Sequence, residues 1–202
     1  MAQPPPWVVN SHTSTSKVPL KEEHGYLDRG IDGEDTIKNF PIVYHRTGIA
    51  EPIPLGLGSQ QVEPNVTYLP FAGAYLLEGH RSNVAEAYPL WLLFPDGKLQ
   101  QIFDPKGITW GKHSRALQVV TKRGIVFLKW TVTRERVGES GLYFGENGTL
   151  TRVVEGAFDW PAVSPDGCRL AVIKRRPGDT IRYEERYLAQ AIDICQGGPD
   201  VH

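Results

Sequence analysis

The sequence predicts an all-β chain built from repeated four-stranded antiparallel units. Three observations lead there. Gly (21) and Pro (16) are numerous among the 202 residues and fall singly between short apolar runs, as turns between strands require. No long stripe with a 3.6-residue period runs through the chain. Strand–turn–strand patterns recur at a spacing of about 42 to 50 residues, the period of a blade-like repeat.

The clearest turn is Ser164-Pro165-Asp166-Gly167. Pro presets φ, Asp bonds its own backbone and Gly accepts positive φ. One strand is therefore predicted to end near Val163 and the next to start near Cys168. Upstream, Trp110 leads through Gly111-Lys112-His113-Ser114 into Ala116–Val120, and Tyr68 leads into Ala74–Leu77. Trp110 and Trp160 are 50 residues apart, Tyr68 and Trp110 are 42 apart. A second hairpin type alternates with the first. Leu90–Phe103 turns at Pro95-Asp96-Gly97, and Leu142–Val154 turns at Asn147-Gly148, a dipeptide whose residues tolerate positive φ. Ile42–Ile49 reads as a weaker early copy, and Tyr187–Cys195 as a last copy lacking its outer strand.

Four short strands per unit match a β-propeller blade. Blades are expected at about 66–107, 108–154 and 155–202, within a β domain over 41–202. Residues 1–40, rich in Pro, Ser, Thr and acidic groups, are expected to be irregular. The aromatic-turn-strand unit with Ser164–Gly167, alternating with the strand-Asn-Gly-strand unit, resembles the WD-like propeller repeat of TolB-type proteins over residues 66–195. That resemblance implies a scaffold and names no substrate, because propellers host many functions. Three blades and a fraction do not close a ring of four to eight. The N-terminal 65 residues supply a further blade, the chain is part of a longer protein, or partner chains complete the array.

Only Cys168 and Cys195 are present. One opens the second strand of the last blade and the other closes its third. A hairpin opposing them centres between residues 181 and 182, inside the polar loop Pro177–Tyr183, so a disulfide is geometrically consistent. Two separate buried thiols are the alternative. A disulfide implies an oxidising compartment, periplasmic or secreted, and in the chain-entropy model it contributes roughly 3 kcal/mol.

The formal net charge of −1 argues against nucleic acid or an anionic membrane as a bulk electrostatic partner. No apolar stretch reaches the 18 residues of a membrane span, and residues 1–17 lack the charged and apolar regions of a leader. The catalytic and cofactor signatures Gly-x-Ser-x-Gly, P-loop, Gly-x-Gly-x-x-Gly, His-Glu-x-x-His, EF-hand and Cys-x-x-Cys-His are absent. No catalytic, cofactor or metal residue is assigned. The expected function is a non-enzymatic scaffold or protein-interaction module, joined by a protein partner or further blades. The alternatives are a propeller hydrolase or accessory domain acting on glycans or peptides, and a small-ligand or calcium module using the acidic segment Asp28–Asp35. His80 and Arg81, His113 and Arg115, and Trp130 are the candidate partner or ligand surface, since binding residues concentrate on loops. Trp91, Trp110, Trp130 and Trp160 fall on or beside predicted strands and are assigned to packing between blades.

Overall fold

A computed structural model describes residues 17–29, 40–80, 87–105, 108, 110, 114–131, 139–146, 149–175 and 187–195. Among them there is no α-helix, and fifteen strands form four antiparallel sheets. The first sheet contains β1 (Lys17–Pro19), β2 (Tyr26–Asp28), β3 (Pro41–His45) and β4 (Ile53–Gly58). The second contains β5 (Val62–Leu69), β6 (Ala74–Gly79), β7 (Leu90–Leu93) and β8 (Leu99–Phe103). The third contains β9 (Ser114–Thr121), β10 (Gly124–Thr131), β11 (Gly141–Glu146) and β12 (Thr149–Glu155). The fourth contains β13 (Ala157–Val163), β14 (Arg169–Arg175) and β15 (Tyr187–Asp193). Within each sheet the strands lie in chain order, each hydrogen-bonded to the next. The result is an open array of propeller-like sheets.

The sheets pack face to face in sequence. Leu27, Ile42, Tyr44 and Leu55 of the first meet Tyr75, Leu77 and Leu93 of the second. Leu69, Leu76 and Leu90 meet Ala116, Val120, Ile125 and Phe127 of the third. Val126, Leu128 and Leu142 meet Phe158, Leu170, Val172 and Ile192 of the fourth. The two central sheets are therefore covered on both faces, and their inner strands are continuous apolar runs: Ala74-Tyr75-Leu76-Leu77 and Ile125-Val126-Phe127-Leu128 are all buried. In β14, by contrast, Arg169, Leu170, Ala171 and Val172 alternate exposed and buried. Period-2 burial is the mark of a sheet covered on one face only.

The first strands of successive sheets come together. β1 approaches β5, and β9 approaches β13. The hairpins that follow these inner strands also meet. Lys122 N–H donates to Gly167 O at 3.0 Å, and the Phe71 ring lies so close to Gly167 (φ 75°) that a Cβ there would sit 2.6 Å from Cγ. The hairpin of the fourth sheet thus touches those of the second and third. Between the first and second sheets, the buried Arg29 guanidinium donates to Ser59 O at 2.7 Å and to Val62 O, pinning the connection from β4 to β5.

Three expectations change. Residues 1–40 are not wholly irregular, because β1 and β2 lie there. Three-residue strands are too short for alternation to register in sequence, and Pro19 ends the edge strand, where a missing N–H is tolerated. The repeat is also phased differently. Trp110 does not end a strand; it is 4% exposed and packs on Phe127 with centroids 5.2 Å apart. The first hairpin of the third sheet is Lys122-Arg123, joining β9 to β10. The second, third and fourth sheets therefore run over 62–103, 114–155 and 157–193. These ranges differ from the expected blade boundaries of 66–107, 108–154 and 155–202.

Candidate functional site

The outward face of the fourth sheet is built by a break in β13. Its register with β14 shifts between Asp159 and Ala162, where Trp160 precedes Pro161. Pro161 has no N–H to give the ladder. Trp160 takes φ 55°, the one positive φ outside glycine among the described residues, and is 80% exposed. A bulky residue in the left-handed region is strained by about 1–3 kcal/mol. Exposing the indole also forfeits the gain from burying a large aromatic. The indole was assigned to packing between blades; the structure turns it outward.

Beside the indole lies a groove of about 330 Å³. Its floor follows from register, which pairs Ala171 with Ala191 and Ile173 with Ala189 on one face. The three alanines are exposed. Leu188 on β15 is exposed as well. Among the described residues nothing pairs with the outer edge of β15, while the other three sheets each carry a fourth strand.

A disulfide locks the end of this sheet. Cys168 and Cys195 are joined, with Cα atoms 5.1 Å apart. They were expected to oppose each other directly. Instead Arg169 opposes Asp193, and Ile194 N–H donates to Cys168 O at 2.7 Å, so the cysteines sit one residue out of register. Each cysteine N–H donates to an aspartate two residues earlier: Cys168 to Asp166 Oδ1 and Cys195 to Asp193 Oδ1, both at 3.0 Å. Arg169 N–H donates to Ser164 Oγ at 2.8 Å. The Ser164 hydroxyl, then the Cys168 N–H, hold the Asp166 carboxyl below its usual range, because both bonds favour the charged form.

The sequence-predicted surface residues fall in two places. Arg115 and Trp130 are cross-strand partners on β9 and β10, Arg115 exposed and Trp130 half-buried. His80 follows β6 and is exposed, its Nδ1 3.1 Å from Glu63 Oε1. It lines a cleft with Trp91 and Gln101. Arg81 and His113 lie outside the described residues. Of the acidic segment, Asp28 lies in β2 and residues 30–39 are outside. No group of three or more His, Cys, Asp or Glu able to hold a metal occurs among the described residues.

A further cleft of about 430 Å³ runs along the inner strands β5, β9 and β13. Its wall is fixed by Gln118, which is 5% exposed. Gln118 Oε1 accepts Tyr88 N–H at 2.9 Å, and Nε2 donates to Tyr88 O at 2.8 Å. The amide side chain replaces a strand neighbour for Tyr88 and seats that segment on the third sheet.

The fold and these surfaces define an all-β chain of propeller-like sheets with a strained, aromatic end face. Among solved structures, TolB from Acinetobacter baumannii aligns with 80% of the chain at 15% identity and a TM-score of 0.27. The chain spans 48% of that protein, about half its length. No protein-family model matches, and no curated protein matches.

Proposed function

We propose that the chain is a non-enzymatic, propeller-type interaction module that binds a protein partner through the open face of its last sheet, outside the cytoplasm. Trp160 carries this reading. An exposed Trp is the residue type most enriched at the energetic centres of interfaces, and this one is held out in a strained conformation beside a floor of alanines. A small-residue floor admits the close approach of a second sheet or an extended chain. The face also continues a stacking that occurs three times within the chain. The Cys168–Cys195 disulfide supports an oxidising compartment.

A photo-crosslinking amino acid placed at 160 tests the reading in native cells. A second probe at Ile49, which is 50% exposed on the opposite part of the array, is the control. A discrete protein adduct from 160 and none from 49 is expected. No adduct from 160, or the same adducts from both, would overturn it.

A further inference from the structure

The cleft that His80 lines holds a second, independent constellation. It lies between the first and second sheets, with a volume of about 450 Å³, inside the roughly 300–1,000 Å³ range of small-ligand sites. Trp91 forms its aromatic wall and is half-buried. Register places Gln101 on β8 directly opposite Trp91 on β7, so the amide and the indole stand on the same face, about 5 Å apart at Cβ. Gln60, Gln61, His80 and Asp104 complete the polar rim.

Three of these polar groups are fixed by the protein at one end and left open at the other. Gln61 Oε1 accepts Gly58 N–H at 2.8 Å, which leaves its NH₂ as donor. Gln101 Nε2 donates to Phe103 O at 3.3 Å, which leaves its Oε1 as acceptor. His80 Nδ1 bonds Glu63, which leaves Nε2. The backbone behind them is tied as well, with His80 N–H donating to Gln61 O at 2.8 Å and Gly79 N–H to Pro89 O at 2.7 Å. Donor and acceptor ends held in place around an aromatic wall cost little ordering on binding.

Among the described residues no Lys or Arg lines the cleft, and its carboxylate is Asp104; a phosphate is best held by such cations. What it offers instead is an apolar aromatic wall with alternating donors and acceptors at its edge. That pattern matches a neutral sugar ring, which has one C–H face and a rim of hydroxyls that each donate and accept. We propose that this cleft is a binding site for a neutral saccharide. Trp91 stacks on the C–H face, Gln61 donates to a hydroxyl oxygen and Gln101 accepts from a hydroxyl.

Saturation-transfer NMR on the full chain tests the proposal. The probes are glucose, galactose, N-acetylglucosamine and their β-1,4-linked trimers, with adenosine and a proline-rich decapeptide as competing ligand classes. At least one saccharide should receive transfer, strongest at protons of its apolar face. Q61A and Q101A should each weaken that binding about three- to tenfold, the range of one neutral hydrogen bond, and W91A should abolish it. Gln61 and Gln101 are exposed, so those two variants keep the fold even if W91A loosens it. I49A, at an exposed position outside the cleft, should bind as wild type does. Absence of transfer to every saccharide would overturn the proposal. So would unchanged affinity in both Q61A and Q101A, or binding of adenosine or the peptide in place of sugar.

Discussion

Replacing both cysteines by alanine removes the one covalent tie in the chain, and the cost follows from the loop it closes. The bonded residues are 27 apart. In the chain-entropy model a loop of that size restricts the unfolded chain by about 12 cal/mol/K, or about 3.5 kcal/mol at 25 °C. That is a quarter to two thirds of the roughly 5–15 kcal/mol that holds an ordinary domain folded. For a chain of this length it corresponds to a fall in Tm of about 7–14 °C. The effect belongs mainly to the unfolded state, so the urea m-value should rise in C168A/C195A, because the unlinked chain exposes more surface. Paired urea titrations of oxidised wild type and C168A/C195A measure both quantities. A loss under about 1 kcal/mol with an unchanged m-value would refute the reasoning. It would mean that the unlinked chain stays as compact as the linked one, or that the bond strains the fold as much as it restricts the coil.

Other outcomes follow from single positions. W160G relieves the positive φ of Trp160 (55°) while adding glycine entropy, and the two nearly cancel. Stability should stay level or rise by up to about 1 kcal/mol; a loss above that, measured by thermal melting, would mean the indole packs. The fully buried Tyr44 shares its one O–H between His24 O at 2.6 Å and Pro95 O at 3.1 Å. Y44F leaves part-buried carbonyls short of a donor, so the urea midpoint should fall by the equivalent of about 1–2 kcal/mol without a change in slope. A Cβ at Gly25 would lie 2.0 Å from His45 O at a φ of 103°, so G25A should cost more than about 2 kcal/mol; thermal melting of G25A checks it. The Asp166 carboxyl titrates near 3.8 when unfolded and lower when folded. A depressed carboxyl contributes stability above its unfolded value and loses it as pH falls through the folded one. Wild type should therefore weaken on acidification below about pH 4 more steeply than D166N, compared by urea midpoints across that window.

What the sequence made legible was local. Pro95-Asp96-Gly97 and Ser164–Gly167 mark their turns because turn conformation is decided by the residues in it. The cysteine pairing was legible too, because strand direction alone brings the start of β14 beside the end of β15; the one-residue offset depends on register, which composition does not carry. The phase of the third sheet was hidden because Lys122-Arg123 has no Pro, Asn or Asp to announce a turn. Trp110, packed on Phe127, then took the place in the repeat that belongs elsewhere. The site was harder still. Whether an indole faces a core or solvent is decided by which sheets stack on its strand, and Trp160 and Trp110 look alike in sequence. One signal was available, Trp160-Pro161 inside an otherwise regular strand; the exposed–buried alternation of Arg169–Val172 was hidden, because Leu170-Ala171-Val172-Ile173 is itself a continuous apolar run. Trp91 and Gln101 meet only through the β7–β8 register, and Gln61 joins them only because the first two sheets are adjacent.

The contact of Phe71 with Gly167 bears on how the array comes apart. A stack in which each repeat touches only its neighbours loses its terminal repeats first and melts in stages. Here the second and fourth sheets, which are not neighbours in the stack, are joined at their hairpin tips, and Lys122 ties the third sheet to the same glycine. The last sheet cannot peel away without disturbing a hairpin two repeats earlier. Three sheets are thereby bound into one cooperative unit.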